Sequence, residues 1–267
     1  MSQNEAYFNT NKKLWNAKVQ HHVKSDFYNM EGFLRGETSL RKIELALLPD
    51  LNGKKLLHPQ CHFGQDTLSL ERLGANCTGV DFSETAIQKA KAIRDQLGMK
   101  SDFIACNVYD MDKHVQDIFD YIFCSYGVIT WLPDLNRWAH QLSKRLKHGG
   151  ELIFVEFHPL LYMFDWDTGE LTYEYFNQGK PESEVESGTY ADNDADIALK
   201  EYFWMHSQSE LIQALIDNGF IINEFKEYDY SPYKIFDQCK FRAEQEYVYK
   251  PGKISLPHVF SIRAQKA

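Results

Sequence analysis

Two short stretches carry residues of the types and spacing that could do chemistry. Residues 56–67 read Leu-Leu-His-Pro-Gln-Cys-His-Phe-Gly-Gln-Asp-Thr, and residues 79–83 read Gly-Val-Asp-Phe-Ser. An apolar run, a tight loop and a helix start together make a cradle at the carboxyl end of a sheet. An acidic residue that ends the next strand, here Asp81, can accept both hydroxyls of a ribose. Enzymes that hold a dinucleotide share this plan, but their loops use small residues so that the backbone can approach a pyrophosphate. Gln60, His62 and Phe63 crowd this loop and only Gly64 remains. A nucleoside that carries an amino acid in place of phosphates suits the loop better.

Other residues invite other chemistry. His58, Cys61 and His62 are of zinc-ligating types, but four converging ligands are not evident and no metal is expected. The five cysteines, Cys61, Cys77, Cys106, Cys124 and Cys239, form no Cys-x-x-Cys pair. Several lie in apolar runs, where a free thiol behaves as a small hydrophobe. Cys61 adjoins histidines only in sequence, so a thiol nucleophile is not expected either. His158 follows an apolar run and is the preferred candidate for a general base, since imidazole titrates near working pH. His22 and His206 are reserves. Glu156 stands inside the same apolar run, where a carboxylate needs a partner.

The elements that must position these groups alternate between short apolar runs and helical stretches from about Leu51 to Pro159, the pattern of a parallel sheet wrapped by helices. Strands are predicted at 55–58, 77–81, 102–106, 119–125 and 152–157. Helices are predicted at 65–73, from the Ser83 cap to Leu97, and at 134–146. Helical stretches at 12–23, 27–32 and 39–48 precede this core. From Asp165 to Asp196 there are ten acidic residues and one Lys, mixed with Tyr173, Tyr175, Phe176 and Tyr190. This reads as an insertion of two or three antiparallel strands over the edge of the sheet. A helix at 209–218 and strands at 220–227 and 259–263 complete the pattern. The expected organisation is one domain: a helical cap at 1–50, a cofactor-binding core at 51–160, an inserted cap at 161–205 and the rest of the core at 206–267.

Composition narrows the function classes. The chain has 29 basic and 38 acidic residues, a formal net charge of −9. Nucleic-acid backbones are gripped by clustered Lys and Arg, and no such cluster is visible, so no nucleic-acid partner is expected. No apolar run approaches the ~20 residues of a membrane span. The start of the chain lacks the charged-then-apolar pattern of a signal peptide. A cytoplasmic protein that acts on a small molecule is the expectation.

The loop and its flanks, Leu57-His58-x-Gln60-Cys61-His62-Phe63-Gly64-x-Asp66-Thr67-Leu68-Ser69, resemble a bacterial subgroup of the class I S-adenosylmethionine-dependent methyltransferases. That family carries Asp-x-Gly-x-Gly-x-Gly after its first strand; His58, Gln60, His62 and Gly64 stand in those places. The same subgroup shows the strings seen here as Ser25-Asp26-Phe27-Tyr28, Ser125-Tyr126-Gly127-Val128, Trp131-Leu132-Pro133-Asp134, Glu156-Phe157-His158-Pro159 and His206-Ser207. The resemblance implies a Rossmann-like fold, a mostly parallel seven-stranded sheet with helices on both faces, N-terminal helices and an inserted antiparallel β cap. It implies S-adenosylmethionine as cofactor and S-adenosylhomocysteine as product.

By the resemblance, Asp81 binds the ribose, Phe82 packs on the adenine, and Asn107-Val108 reads the adenine amino group. Gln60, Cys61, His62 and Gly64 hold the methionine end, and Ser125 and Tyr126 lie beside the sulfonium. An aromatic face there favours a cation, which makes Tyr126 a second catalytic candidate beside His158. Trp15, Tyr28, Trp131 and His158 are expected to line the acceptor pocket. The reaction implied is in-line methyl transfer to a small molecule, in which the protein aligns donor and acceptor and excludes water. Two other readings stay open: a protein that holds the cofactor without catalysis, and an NAD-dependent oxidoreductase. An enzyme acting on nucleic-acid bases is expected to carry an Asn- or Asp-Pro-Pro-aromatic string where Ser125-Tyr126-Gly127-Val128 stands.

Overall fold

A computed structural model describes residues 3–267, so the first two residues of the expected 1–50 cap lie outside the described residues. In chain order the elements are α1 (Gln3–His22), α2 (Met30–Leu34), α3 (Lys42–Leu47), β1 (Lys55–Pro59), α4 (Gln65–Arg72), β2 (Asn76–Asp81), α5 (Glu84–Gln96) and β3 (Asp102–Ala105). There follow α6 (Met111–His114), β4 (Phe119–Ser125), α7 (Leu135–Arg145), β5 (Leu146–Phe157), β6 (Glu182–Ser187) and β7 (Ala198–Phe203). The chain closes with α8 (Gln208–Asp217), β8 (Phe220–Tyr228), β9 (Lys240–Ala243), β10 (Glu246–Val248) and β11 (Val259–Lys266).

Seven strands form one sheet in the order β3-β2-β1-β4-β5-β11-β8. The first five run parallel, and β11 is antiparallel to both β5 and β8. The inner strands are apolar on both sides because both faces are covered. On one face Trp138 and Leu142 of α7 and Leu211 and Leu215 of α8 pack with Phe154 and Phe260. On the other, Ile43 and Leu47 of α3 and Leu70 of α4 pack with Phe123, Ile153 and Val155. The order of the strands reverses between β1 and β4, and the crevice outside their carboxyl ends is where open α/β sheets bind ligands. The fold class is the Rossmann-like one expected.

Helix starts follow local capping chemistry. The side chains of Ser83, Asp134 and Ser207 accept from the backbone N–H groups of Ala86, Arg137 and Glu210, which satisfies donors that the first helical turn leaves free. Several boundaries differ from the pattern-based expectation. α1 begins at Gln3, not near residue 12, because Phe8, Asn11 and Leu14 are already turned inward. α2 starts three residues late, since Asn29 takes a left-handed conformation and caps Gly32.

β5 begins at Leu146, where the helix was expected to end. Gly149, with φ 73°, and Gly150 lie inside the strand and let it bend past β4 with a shifted register. A Cβ at Gly150 would stand 2.8 Å from the carbonyl oxygen of Asp120. The insertion holds a two-stranded hairpin, β6 inside the acidic stretch and β7 just beyond it, and a second hairpin, β9 with β10, lies between the last two predicted strands. Among the described residues no helix is long and apolar enough to cross a membrane.

Candidate cofactor and acceptor site

The loop after β1 keeps the backbone path of a glycine loop without its glycines. Gln60, His62 and Gly64 have φ of 56°, 50° and 80°, so all three alternate positions are left-handed. That region costs a non-glycine residue of order 1 kcal/mol, and here it is held by what the side chains do. Gln60 donates to the carbonyl of Val128 (2.9 Å), and its own carbonyl oxygen is buried without a partner. The His62 ring meets Nδ1 of His22 at 2.9 Å. Burial, reinforced by neighbouring charge, pushes His62 down to about 3 and His22 down to about 2, so both rings are neutral at ordinary pH.

Asp81 ends β2 and points its carboxylate at this loop, accepting from the backbone N–H of His62 (2.9 Å) and of Ser83 (2.8 Å). Burial lifts it to about 6 against the pull of those bonds. Two residues of the loop serve packing. The Cys61 thiol is buried beneath the loop against Phe63 and Phe103, and burial raises it well above the ordinary thiol range. A Cβ at Gly64 would lie 2.6 Å from the Phe103 ring, so the glycine is needed for close approach to β3 as well as for its φ.

Beyond Asp81 a cleft of about 390 Å³ lies between the first turns of α1 and the ends of β2 and β3. Phe82, Cys106 and Asn107 line it from the sheet side, Phe8 and Lys12 from the helix. Asn107 faces the cleft, but its side-chain oxygen already accepts from Tyr109 N–H at 3.0 Å. Val108 turns inward and joins the core, and it does not line the cleft.

Over the loop lie aromatic residues from the N-terminal cap. Trp15 sits 5.3 Å from both His62 and Trp131, edge to face. Tyr28 packs on Phe63 at 4.7 Å and bonds the Tyr190 hydroxyl of the insertion. Lys18, buried beside them over the Trp15 ring, is turned to Glu201 of β7 at 3.7 Å. The structure thus brings Trp15, Tyr28 and Trp131 together above the loop.

At the carboxyl end of β4 the chemistry changes. Ser125 donates to Asp66 of α4 (3.1 Å), and the Tyr126 hydroxyl donates to Glu44 of α3 (3.1 Å). Glu44 is wholly buried, and its second carboxylate oxygen has no partner. Burial first, and then the charge of Asp66, lift Glu44 to about 7. Tyr126 stands 5.2 Å from both Phe157 and Tyr233, and the Arg41 guanidinium lies over the Tyr233 ring at 4.8 Å.

His158 is placed elsewhere. Its ring bonds Glu227 of β8 at 2.9 Å and packs edge-on to Phe260, on the face that carries α7 and α8. Burial lowers it despite the carboxylate. It meets neither Tyr126 nor the loop after β1 through any contact described, and therefore does not join the other candidates. His206 bonds the carbonyl of Leu132 and pairs with Glu210. Glu156 has the partner that its burial demands: its carboxylate accepts from the backbone N–H groups of Gly127, Val128 and Ile129 and from its own neighbour Phe157.

Glu44, Asp66, Arg41 and Tyr233 were not singled out from sequence. Asp66 had a usable signal, being the second residue of the helix that opens at the loop. Glu44 is a lone carboxylate on an apolar helix face, an ambiguous sign, and Tyr233 lies in a stretch without periodicity. Among the described residues no group of three or more His, Cys, Asp or Glu could hold a metal ion.

Comparison with known proteins bears on this geometry. The family described as a methyltransferase domain is matched over residues 51–189, just over half of the chain. The chain is 26% identical over 136 residues to a ubiquinone biosynthesis O-methyltransferase of Erwinia tasmaniensis, covering 49% of this chain and 56% of that protein. It is 31% identical over 139 residues to a magnesium-protoporphyrin O-methyltransferase of Rhodobacter capsulatus, covering 51% and 60%. The matches thus span less than two thirds of either relative. In structure, an S-adenosylmethionine dependent methyltransferase from Mesorhizobium loti superposes with a TM-score of 0.54 at 18% identity, over 87% of this chain and all of that one. The matched segment runs from the residue before the Asn52-Gly53 turn through all five parallel strands, the loop and Asp81, and on that ground the chain belongs to the methyltransferase domain family.

Proposed function

We propose that the protein is an S-adenosylmethionine-dependent methyltransferase acting on a small molecule. The observation that carries this reading is the loop after β1. Three alternate left-handed residues, two of them strained, trace the path of a glycine loop beside a buried Asp81. Strain of that kind persists where the surroundings over-determine it, and it clusters at ligand sites. The residues fit the cofactor: Gln60 presents an unpartnered buried oxygen to an amino group, and Asp81 keeps lone pairs free for two ribose hydroxyls. Phe82 and Asn107 wall a cleft in the size range of ligand pockets.

S-adenosylmethionine, when bound, supplies a methyl group on a sulfonium, so the leaving group needs no further activation. The chain's own work is to align and to exclude water. Asp81 fixes the ribose, and Gln60 and His62 hold the amino-acid end. Trp15 and Trp131 close over the loop, and Ser125 and Tyr126 border the transfer region. His158 serves the β8 edge through Glu227 in this reading, so Tyr126 and its carboxylate partner replace it beside the acceptor.

The test is calorimetric titration with S-adenosylmethionine and S-adenosylhomocysteine, with NAD as control. Binding of both sulfur compounds, no binding of NAD, and a loss of about 100-fold in Asp81→Ala are expected, since two charge-assisted hydrogen bonds are removed. A folded protein that binds neither sulfur compound overturns the reading. A protein that binds them but methylates no member of an acceptor panel is the non-catalytic holder.

A further inference from the structure

We propose that the methyl acceptor is an amine, held as its ammonium form between Glu44 and Asp66 in a cage walled by Phe27, Tyr126 and Tyr233. This rests on the methyl-transfer reading above and adds the chemical class of the acceptor.

Three independent observations meet at this place. The first is charge. Asp66 acts electrostatically on Glu44 and Tyr233, and more weakly on Arg41, Tyr28 and Tyr126, so these groups share one cluster. Two carboxylates face a single guanidinium there. Lys18 is turned to Glu201, and His22 and His62 are neutral. Without a further cation the cluster balances by holding a proton on Glu44, which burial and Asp66 lift to about 7; a bound cation takes that proton's place. The second is an open valence: Glu44 is wholly buried, one oxygen takes the Tyr126 hydroxyl, and the other makes no well-formed hydrogen bond, although the backbone N–H groups of Arg41 and Glu44 at the start of α3 also turn toward the carboxylate. A buried carboxylate in that state is costly until a donor arrives. The third is the wall. Phe27 and the Arg41 guanidinium both lie against the Tyr233 ring, at 5.2 and 4.8 Å, and Tyr126 meets it edge-on at 5.2 Å; these rings thus already seat one cation, and aromatic faces attract ammonium groups most strongly where water is excluded.

An oxygen acceptor fits the same place poorly. It would have to develop negative charge beside two carboxylates, whereas an amine enters and leaves as a cation. Bound as R–NH3+, the acceptor gives one proton to Glu44, and the nitrogen keeps the electron pair. That pair forms the N–C bond while the methyl–sulfur bond of S-adenosylmethionine breaks and its electrons stay on sulfur. The product is the methylammonium R–NH2+–CH3, with S-adenosylhomocysteine beside it. Ser125, at the end of β4 and bonded to Asp66, ties this cage to the transfer region.

The experiment titrates phenethylamine, and 2-phenylethanol as its neutral counterpart, into the full chain saturated with S-adenosylhomocysteine. It is run near pH 7 in two buffers of different ionisation enthalpy. The amine is expected to bind at least about tenfold tighter than the alcohol and to release protons, because a cation restores the charge of Glu44. Glu44→Gln and Asp66→Asn should each erase most of the preference, and Glu44→Gln the proton release, while both variants still bind S-adenosylhomocysteine. Equal binding of amine and alcohol, no binding of the amine to a chain that holds S-adenosylhomocysteine, or a preference that survives both substitutions would overturn the proposal. If S-adenosylhomocysteine itself does not bind, the methyltransferase reading fails, and the same titration of the cofactor-free chain then decides the cage alone.

Discussion

Single residues in this protein are set by burial more than by intrinsic preference, and that makes their pH behaviour readable. Glu44 and Glu156 are both lifted to about 7 by burial, and Asp81 to about 6. Raised carboxyl groups bind protons more tightly folded than unfolded. Their contribution is therefore complete below the ordinary carboxyl range and is lost as pH rises through about 6 to 7. His22 and His62 act oppositely: their lowered values stabilise above about 6.5, and that stability is lost as pH falls toward 3 and below. Glu44→Gln should accordingly flatten the alkaline side, gaining about 2 kcal/mol on wild type between pH 5 and pH 8. Urea unfolding at the two pH values reads this difference, and an unchanged difference would show that Glu44 is not charged in the folded state at pH 8. A second residue-scale test concerns Gly64, where φ is 80° and an alanine Cβ would strike Phe103. Gly64→Ala should cost about 3 kcal/mol, against about 1 kcal/mol for Gly98→Ala, where φ is also positive but nothing lies within 4 Å. Equal losses would mean that the fit against β3 contributes nothing.

At the scale of elements, the segment that follows β4 is held by a carboxylate from the next strand. Glu156 stands at the carboxyl end of an apolar strand, and three consecutive backbone N–H groups, those of Gly127, Val128 and Ile129, converge on it. The sequence marked Glu156 as a residue in need of a partner, but the partner is backbone and left no trace in residue type. Glu156→Ala should cost about 3 kcal/mol or more, because it leaves buried donors unpaired. It should also speed hydrogen exchange at residues 127–129 far more than in β5 itself. Uniform exchange across both would place the carboxylate outside the loop's support. The α7–β5 boundary shows the limit of local pattern. Gly149-Gly150 looks like a helix stop followed by a turn, but the glycines instead carry the strand past Asp120 with a shifted register. Their role depends on a neighbouring strand that the local sequence does not contain.

The whole molecule is tied together by α1, which bridges the inserted hairpin, the start of α5 and the loop after β1. Asn11, nearly wholly buried, donates to the Tyr202 carbonyl (2.7 Å) and accepts from its N–H (2.9 Å), while Asn16 takes the Ser83 hydroxyl at 2.6 Å. Asn11→Ala should cost about 2 kcal/mol through the unpaired backbone of Tyr202 and should raise hydrogen exchange in α1 and β7 together. Binding of S-adenosylhomocysteine should slow exchange in both by comparable factors; protection confined to the loop after β1 would mean that the cap does not close over the cofactor. At this scale the division of information is plain. The amino-acid order alone determined the alternation of strands and helices, the cap at Ser83 and the acid that ends β2. These depend on contacts only a few residues apart, where periodicity, turn chemistry and capping act. Only the tertiary structure decided that Asp66 comes near enough to Glu44 to act on its charge, that His158 turns to Glu227, and that Val108 and Cys61 belong to the core. Those outcomes depend on which strands neighbour one another and on which face each helix lands, and packing between distant segments, not local preference, selects among the arrangements that the same local pattern permits.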